Sequence, residues 1–88
     1  MRIVSSAIKF RETPHSQYWH IICGKRHSNC YEMMFKHQFT HDRNSEVQGF
    51  LTDTNQFVDR YEAAEIAFNA NQISEPLICL YSEDVWPE

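Results

Sequence analysis

The segment Gly24-Lys25-Arg26-His27-Ser28-Asn29 holds the residue types best suited to gripping an anion. A glycine closes an apolar run, three side chains able to carry positive charge follow, and a helical pattern begins. A helix start exposes unpaired N–H groups and the positive end of the backbone dipole, so phosphate or carboxylate binds there readily. Arg26 would add a planar fork that matches phosphate oxygens, and Lys25 a point charge. The Gly-x4-Gly-Lys pattern of a P-loop is missing. On these residues alone, a solvated basic turn ahead of a helix is the simpler reading. Arg60 is a second candidate, because it falls in the first turn of a later helical pattern, where the dipole disfavours a cation. Either an acidic ligand or the neighbouring Asp59 and Glu62 would account for it.

Other chemistry finds less support. Five histidines (His15, His20, His27, His37, His41) and three cysteines raise the question of zinc. Structural zinc needs four ligands in short paired spacings. Only His37/His41 and Cys23/His27 stand four apart, and Cys23 falls in a strand pattern, so no metal is expected. Cys30 with His27 could form an activated thiol pair, but Cys30 lies on an apolar helical face and reads as a core thiol. Glu83 and Asp84 are adjacent and would point to opposite sides of an extended tail, which disfavours paired acid/base work. Tyr31, Met33, Met34 and Phe35 read as core rather than as a cofactor box. The expectation is a protein without catalytic residues or cofactor.

The elements that would position these groups follow from hydrophobic periodicity. Residues 3–10 alternate as a strand, with Val4, Ile8 and Phe10 on one face, and Thr13-Pro14-His15-Ser16 is turn chemistry. Tyr18 to Cys23 predicts a second strand ended by Gly24. Cys30, Met33, Met34 and His37 recur at helical spacing, Asn29 and Glu32 fit a cap and its reciprocal partner, and the helix would end near Gln38. Thr40 to Glu46 reads as a loop. Gln48 to Val58 predicts a hairpin turning at Asp53-Thr54-Asn55, where Asn55 tolerates a left-handed conformation. Asp59 caps a second helix with the stripe Ala63, Ile66, Ala67, Ala70 and Ile73, and Pro76 blocks its continuation. Leu77 to Tyr81 predicts a last strand ahead of an acidic tail. The sum is an α+β domain of order ββαββαβ, with a mostly antiparallel sheet and two helices.

Whole-chain properties bound the rest. Eighty-eight residues make a single domain, 1–88, and one core at this size is marginal, so a homo-oligomer is expected. The formal charge of −4 argues against general nucleic-acid binding. Six of the eight Lys and Arg lie in the first 36 residues, and the last 28 contain none. An odd cysteine count, no leader pattern and no apolar run of membrane-spanning length predict a soluble, cytoplasmic protein without membrane association.

The segments Gly24-Lys25-Arg26-His27, Gln48-Gly49-Phe50-Leu51-Thr52, Phe57-Val58-Asp59-Arg60-x-Glu62-Ala63-Ala64-x-Ile66-Ala67, Gln72-Ile73 and Leu80-Tyr81-Ser82-Glu83-Asp84-Val85-Trp86 together resemble a widespread family of short, mostly uncharacterised proteins of tailed bacteriophages. Lys25 stands where that family more often has a second Arg, and Asn55 where its hairpin turn usually has Gly. The resemblance implies a phage accessory protein at work in the host cytoplasm. Blocking host defence is one such role, including as a stoichiometric sponge for nucleotide immune signals. A sponge would use Lys25, Arg26, His27 and Arg60 around phosphate, Gln48 and Thr52 to read a base, and Phe50 or Tyr81 to stack on it. The ligand would be a cyclic oligonucleotide or an ADP-ribose-type nucleotide. An inhibitor of a host nuclease, restriction enzyme or CRISPR effector is the competing expectation, since an acidic tail suits an electropositive partner. A small nucleotide hydrolase is the third.

Overall fold

A computed structural model describes residues 1–36 and 42–86. Its element order is β1 (Ile3–Phe10), β2 (His20–Gly24), α1 (His27–Lys36), a 3-10 turn (Arg43–Ser45), β3 (Val47–Thr52), β4 (Phe57–Asp59), α2 (Arg60–Asn69) and α3 (Ser82–Val85). The strands form one antiparallel sheet in the order β2-β1-β3-β4. This is the small α+β domain that the periodicity predicts. Residues 37–41 lie outside the described residues, and with them the His37/His41 spacing and the expected helix end near Gln38.

The helices pack on one side of the sheet, α1 over β1 and β2 and α2 over β3 and β4. Strand periodicity of two sends Ser6, Ile8 and Phe10 towards them together with Phe50 and Val58. Val4 does not join that face, contrary to expectation. The register between β1 and β3 shifts between Ile3 and Ser5, which makes Val4 the extra, bulged residue and leaves it 45% exposed. The shift returns Ile3 to the covered side, where it is buried. Tyr18 and Trp19 fall before the second strand and remain exposed.

Two apolar clusters result. Ile8, Phe10, Cys30 and Met34 form one beneath α1, and Ile3, Phe50, Val58, Ala63, Ala64, Ala67 and Leu80 form the other beneath α2. The three alanines present small side chains to the sheet and let α2 approach closely. The first helix starts earlier than its pattern suggested. Asn29 is inside it, and its Oδ1 accepts from the Arg26 backbone N–H at 3.1 Å, the reciprocal half of a capping box. With that phase Cys30 and Met34 point inward, whereas Met33 is exposed and Phe35 is 87% exposed, so neither is core.

Asp59 caps α2 as expected, its Oδ1 accepting from Glu62 N–H at 2.8 Å. The helix ends at Asn69, short of Ile73, because Asn71 turns left-handed (φ 59°). Gln72 N–H then bonds to Ala67 C=O at 2.8 Å and Asn71 N–H to Phe68 C=O at 3.1 Å, a Schellman closure. That closure aims the Gln72 amide at β1, where it accepts from Ile3 N–H at 2.7 Å and donates to Ile3 C=O at 2.8 Å. A side chain thus supplies sheet-like pairing beside the bulge. The hairpin turns through Asn55 (φ 63°), as the sequence predicts.

The expected last strand is not formed. Among the described residues, the stretch Leu77 to Tyr81 makes one backbone bond to the folded body, Leu80 N–H to Arg60 C=O at 3.0 Å. β4 is three residues long and passes straight into α2, so its edge offers too short a ladder for another strand. Leu80 is buried instead as a single apolar anchor. The acidic tail beyond it winds into the turn α3, whose start is fixed by Asp84 Oδ2 accepting from Tyr81 N–H at 2.9 Å.

At Gly49 strand β4 lies too close to β3 to leave room for a side chain. A Cβ there would lie 2.2 Å from Val58 O and 2.6 Å from the Phe57 ring. Gly49→Ala should therefore destabilise the fold by about 1–3 kcal/mol, the usual cost of overpacking, seen as a lower urea midpoint.

Candidate functional site

The starts of three helices meet at one cavity of about 240 Å³. Arg26, His27 and Ser28 come from the start of α1, Arg60 from the first position of α2, and Tyr81, Ser82 and Glu83 from the start of α3. Three of these positions, Arg26, Arg60 and Tyr81, combine charge with a ring. The Arg60 guanidinium lies 4.5 Å from the centre of the Tyr81 ring and donates to the Gln48 side-chain carbonyl. Its Nε is buried without a hydrogen-bond partner among the described residues. Arg26 donates to the Trp86 carbonyl and stands 4.0 Å from Glu83. Glu83 is largely exposed, so this pair is worth little to stability.

Gln48 does not line the cavity but orients Arg60. Its amide donates to Tyr31 Oη at 2.6 Å, and Tyr31 in turn donates to Glu46. The chain runs one way, from guanidinium to carboxylate, so each donor meets an acceptor. Burial, followed by the bond to Glu46, pushes the Tyr31 hydroxyl up to about 12 and keeps it a donor.

His27 is buried in the cavity wall. Nε2 bonds to Gly49 C=O at 2.7 Å, and Nδ1 stands 2.8 Å from Ser82 Oγ. Ser82 Oγ is 2.8 Å from Ser6 Oγ, which donates to Lys25 C=O at 3.0 Å. Ring packing against Phe50, 5.1 Å between centroids, completes the enclosure. Burial chiefly lowers the His27 pKa below its ordinary 6.5 and Arg60 adds to this, while the Gly49 carbonyl and Glu83 act the other way.

The structure therefore gathers Arg26, His27, Arg60 and Tyr81 from well-separated parts of the chain, with Gln48 behind them. It does not gather the others. Lys25 is exposed and is not one of the residues that line the cavity. Phe50 is fully buried between His27 and Trp86, so it has no face free for a base. Thr52 is buried in the hairpin, where its Oγ1 accepts from the N–H groups of Thr54 and Gln56. Tyr81, 48% exposed, is the ring that a ligand could reach. The reading of residue types missed Ser6, Ser82 and Gly49, since nothing in their spacing distinguishes them from any serine or glycine. The short tail helix, which brings Ser82 inward, replaces the extended tail that the sequence predicts.

Neither alternative chemistry gains support from this arrangement. No group of three potential metal ligands occurs among the described residues. Both nitrogens of His27 are engaged elsewhere, and Cys30 is a core thiol whose Sγ lies 3.8 Å from Ser6 C=O. Burial pushes the Cys30 thiol up to about 11. It should resist iodoacetamide at about pH 8 until the protein is denatured, as read by peptide mass spectrometry.

The lowered pKa of His27 also has a sign. Below about 6.5 the unfolded chain binds a proton that the folded protein resists, so this contribution to stability is full above that pH and lost as pH falls through and below it. Urea unfolding of the unliganded protein should show stability declining on acidification. His27→Gln should flatten part of that decline.

No helix among the described residues is long and apolar enough to cross a membrane. Comparison with curated proteins and with solved structures returns no match. A family profile described as "Phage T4 y16D protein" matches residues 2–86. It spans every element that shapes the cavity, from β1 to the turn α3, and it bears out the resemblance to small phage proteins. The chain belongs to the phage T4 y16D protein family.

Proposed function

We propose that the protein binds a small phosphorylated ligand, a signalling nucleotide of the cyclic-oligonucleotide or ADP-ribose type, and sequesters it without catalysis. The observation that carries this reading is the convergence of two guanidinium groups and the start of α1 on one cavity. Its volume of about 240 Å³ is below that of drug-sized sites, which begin near 300 Å³. It suits a phosphoryl group and part of its sugar, with the base lying outward against Tyr81. In the host cytoplasm such a protein would act as an accessory factor against a defence that signals through nucleotides. Self-association would bring cavities of neighbouring copies together around a larger ligand.

Incubation with a panel of nucleotides, followed by heat release and chromatography, tests the reading: intact ligand should be recovered at micromolar concentration. Arg26→Ala or Arg60→Ala should weaken binding about ten- to a hundredfold, the range expected for losing one charged hydrogen bond. Lys25→Ala should change it little. A panel in which no nucleotide binds, or in which the released nucleotide is chemically altered, refutes it.

A second reading has its own observation. An open groove of about 890 Å³ lies beyond the end of α2, with Phe68, Ile73, Leu77 and Val85 on its walls and Glu75 at its rim. It belongs to the stretch that contains no Lys or Arg, and it suits an electropositive protein such as a nuclease. Glu75→Lys should abolish inhibition of such a partner and leave nucleotide binding unchanged.

A further inference from the structure

The hydrogen bonds around His27 can be counted. Four contacts run in series, Gly49 O to Nε2, Nδ1 to Ser82 Oγ, Ser82 Oγ to Ser6 Oγ, and Ser6 Oγ to Lys25 O. Each needs one hydrogen. Both ends are backbone carbonyls, which supply none. Ser6 and Ser82 supply one each, and a neutral imidazole supplies one more, so the series is one hydrogen short. With Nε2–H directed at Gly49, Ser82 donating to Nδ1 and Ser6 donating to Lys25 C=O, the two serine oxygens face each other at 2.8 Å without a hydrogen between them. An imidazolium completes the series. Nδ1–H then donates to Ser82, Ser82 to Ser6, and Ser6 to Lys25 C=O. His27, Ser6 and Ser82 are all buried, so water relieves the deficit only at the exposed Lys25 end, and there Ser6 must turn its hydrogen to Ser82 and give up the Lys25 carbonyl.

The charges facing the ring oppose the extra proton that would fill the series. Arg60 on α2 repels an imidazolium, and Arg26, next to His27 at the start of α1, has the same sign. Glu83 at the start of α3 is the counter-charge, and Cys30 on α1 stays a neutral thiol. An anion seated between Arg26 and Arg60 would reverse that balance on the cavity side of the ring.

We propose that an anion entering this cavity is taken up together with one proton, which resides on His27 and completes the Gly49–His27–Ser82–Ser6–Lys25 series. The inference rests on the anion site proposed above and assigns its regulation. Binding tightens as the medium becomes acidic, and the bound anion in turn makes His27 more basic, since linkage is reciprocal. Occupancy of the cavity thereby locks the starts of α1 and α3 and strand β1 into one fully satisfied network.

Inorganic sulfate is the suitable probe, because it keeps its double charge throughout the range of about pH 5 to 8. Calorimetry of the full chain in buffers of differing ionisation heat counts protons taken up per sulfate bound. The expected result is uptake approaching one proton, with affinity rising up to about tenfold per pH unit on acidification. Ser6→Ala removes one hydrogen but two contacts, leaving a series that a neutral imidazole satisfies, so the linkage should shrink or move to lower pH. Attraction between imidazolium and anion alone would leave the Ser6→Ala linkage unchanged, and that result overturns the proton-count argument. His27→Gln should bind sulfate with a pH-independent constant, whatever its strength. Sulfate binding by the parent protein without proton uptake overturns the proposal and spares the anion site. Failure of sulfate to bind at any pH overturns both.

Discussion

A buried polar seam holds this small domain together where its two apolar clusters meet. Ser6 lies in β1 between Ile3, which belongs to the cluster under α2, and Ile8, which belongs to the cluster under α1. His27 opens α1 and Ser82 opens α3, and both reach Ser6 across the seam. Polar groups in such a place are costly unless bonded. Their mutual bonds, closed on the carbonyls of Gly49 and Lys25, make one arrangement of the three elements preferable to any other. The cavity is a by-product of that arrangement, because it lies where the same helix starts come together.

The elements around the seam are held by devices that each satisfy a backbone end. Asn71 turns left-handed to close α2, and the closure presents Gln72 to the bulged end of β1. Asp59 caps the start of α2 and so fixes where Arg60 emerges. Gln48, on the covered face of β3, then catches the Arg60 guanidinium and passes its bonding on to Tyr31 and Glu46. The cation at the first turn of α2, unfavourable to its own helix dipole, is therefore held from three sides: by an amide, by an aromatic face and by packing. Among the described residues the Arg60 Nε, like Ser5 Oγ and Arg11 Nε, is buried without a hydrogen-bond partner.

Charge is distributed along the chain in a way that separates two surfaces. The basic early segments contribute Arg26 to the cavity, whereas the stretch after Arg60 carries only acidic groups and shapes the groove beyond α2. The net charge of −4 disguises a local site of opposite sign.

Local patterns determined the α+β class, the hairpin with Asn55 at its turn, the Asp59 cap and the two longer helices, because each rests on neighbours within four residues. They also marked Arg26, in a basic turn ahead of a helix start, and Arg60, a cation in a first turn whose dipole disfavours it. Tertiary structure decided the rest. The bulge at Val4 answers to pairing with β3, the loss of the last strand to the brevity of β4, and the withdrawal of Phe50 and Thr52 to core and hairpin packing. Ser6 and Ser82 become a site only when strands and helices 76 residues apart in sequence are brought to 2.8 Å. A serine carries no periodic signal of its own, so its partners exist only once the chain has folded.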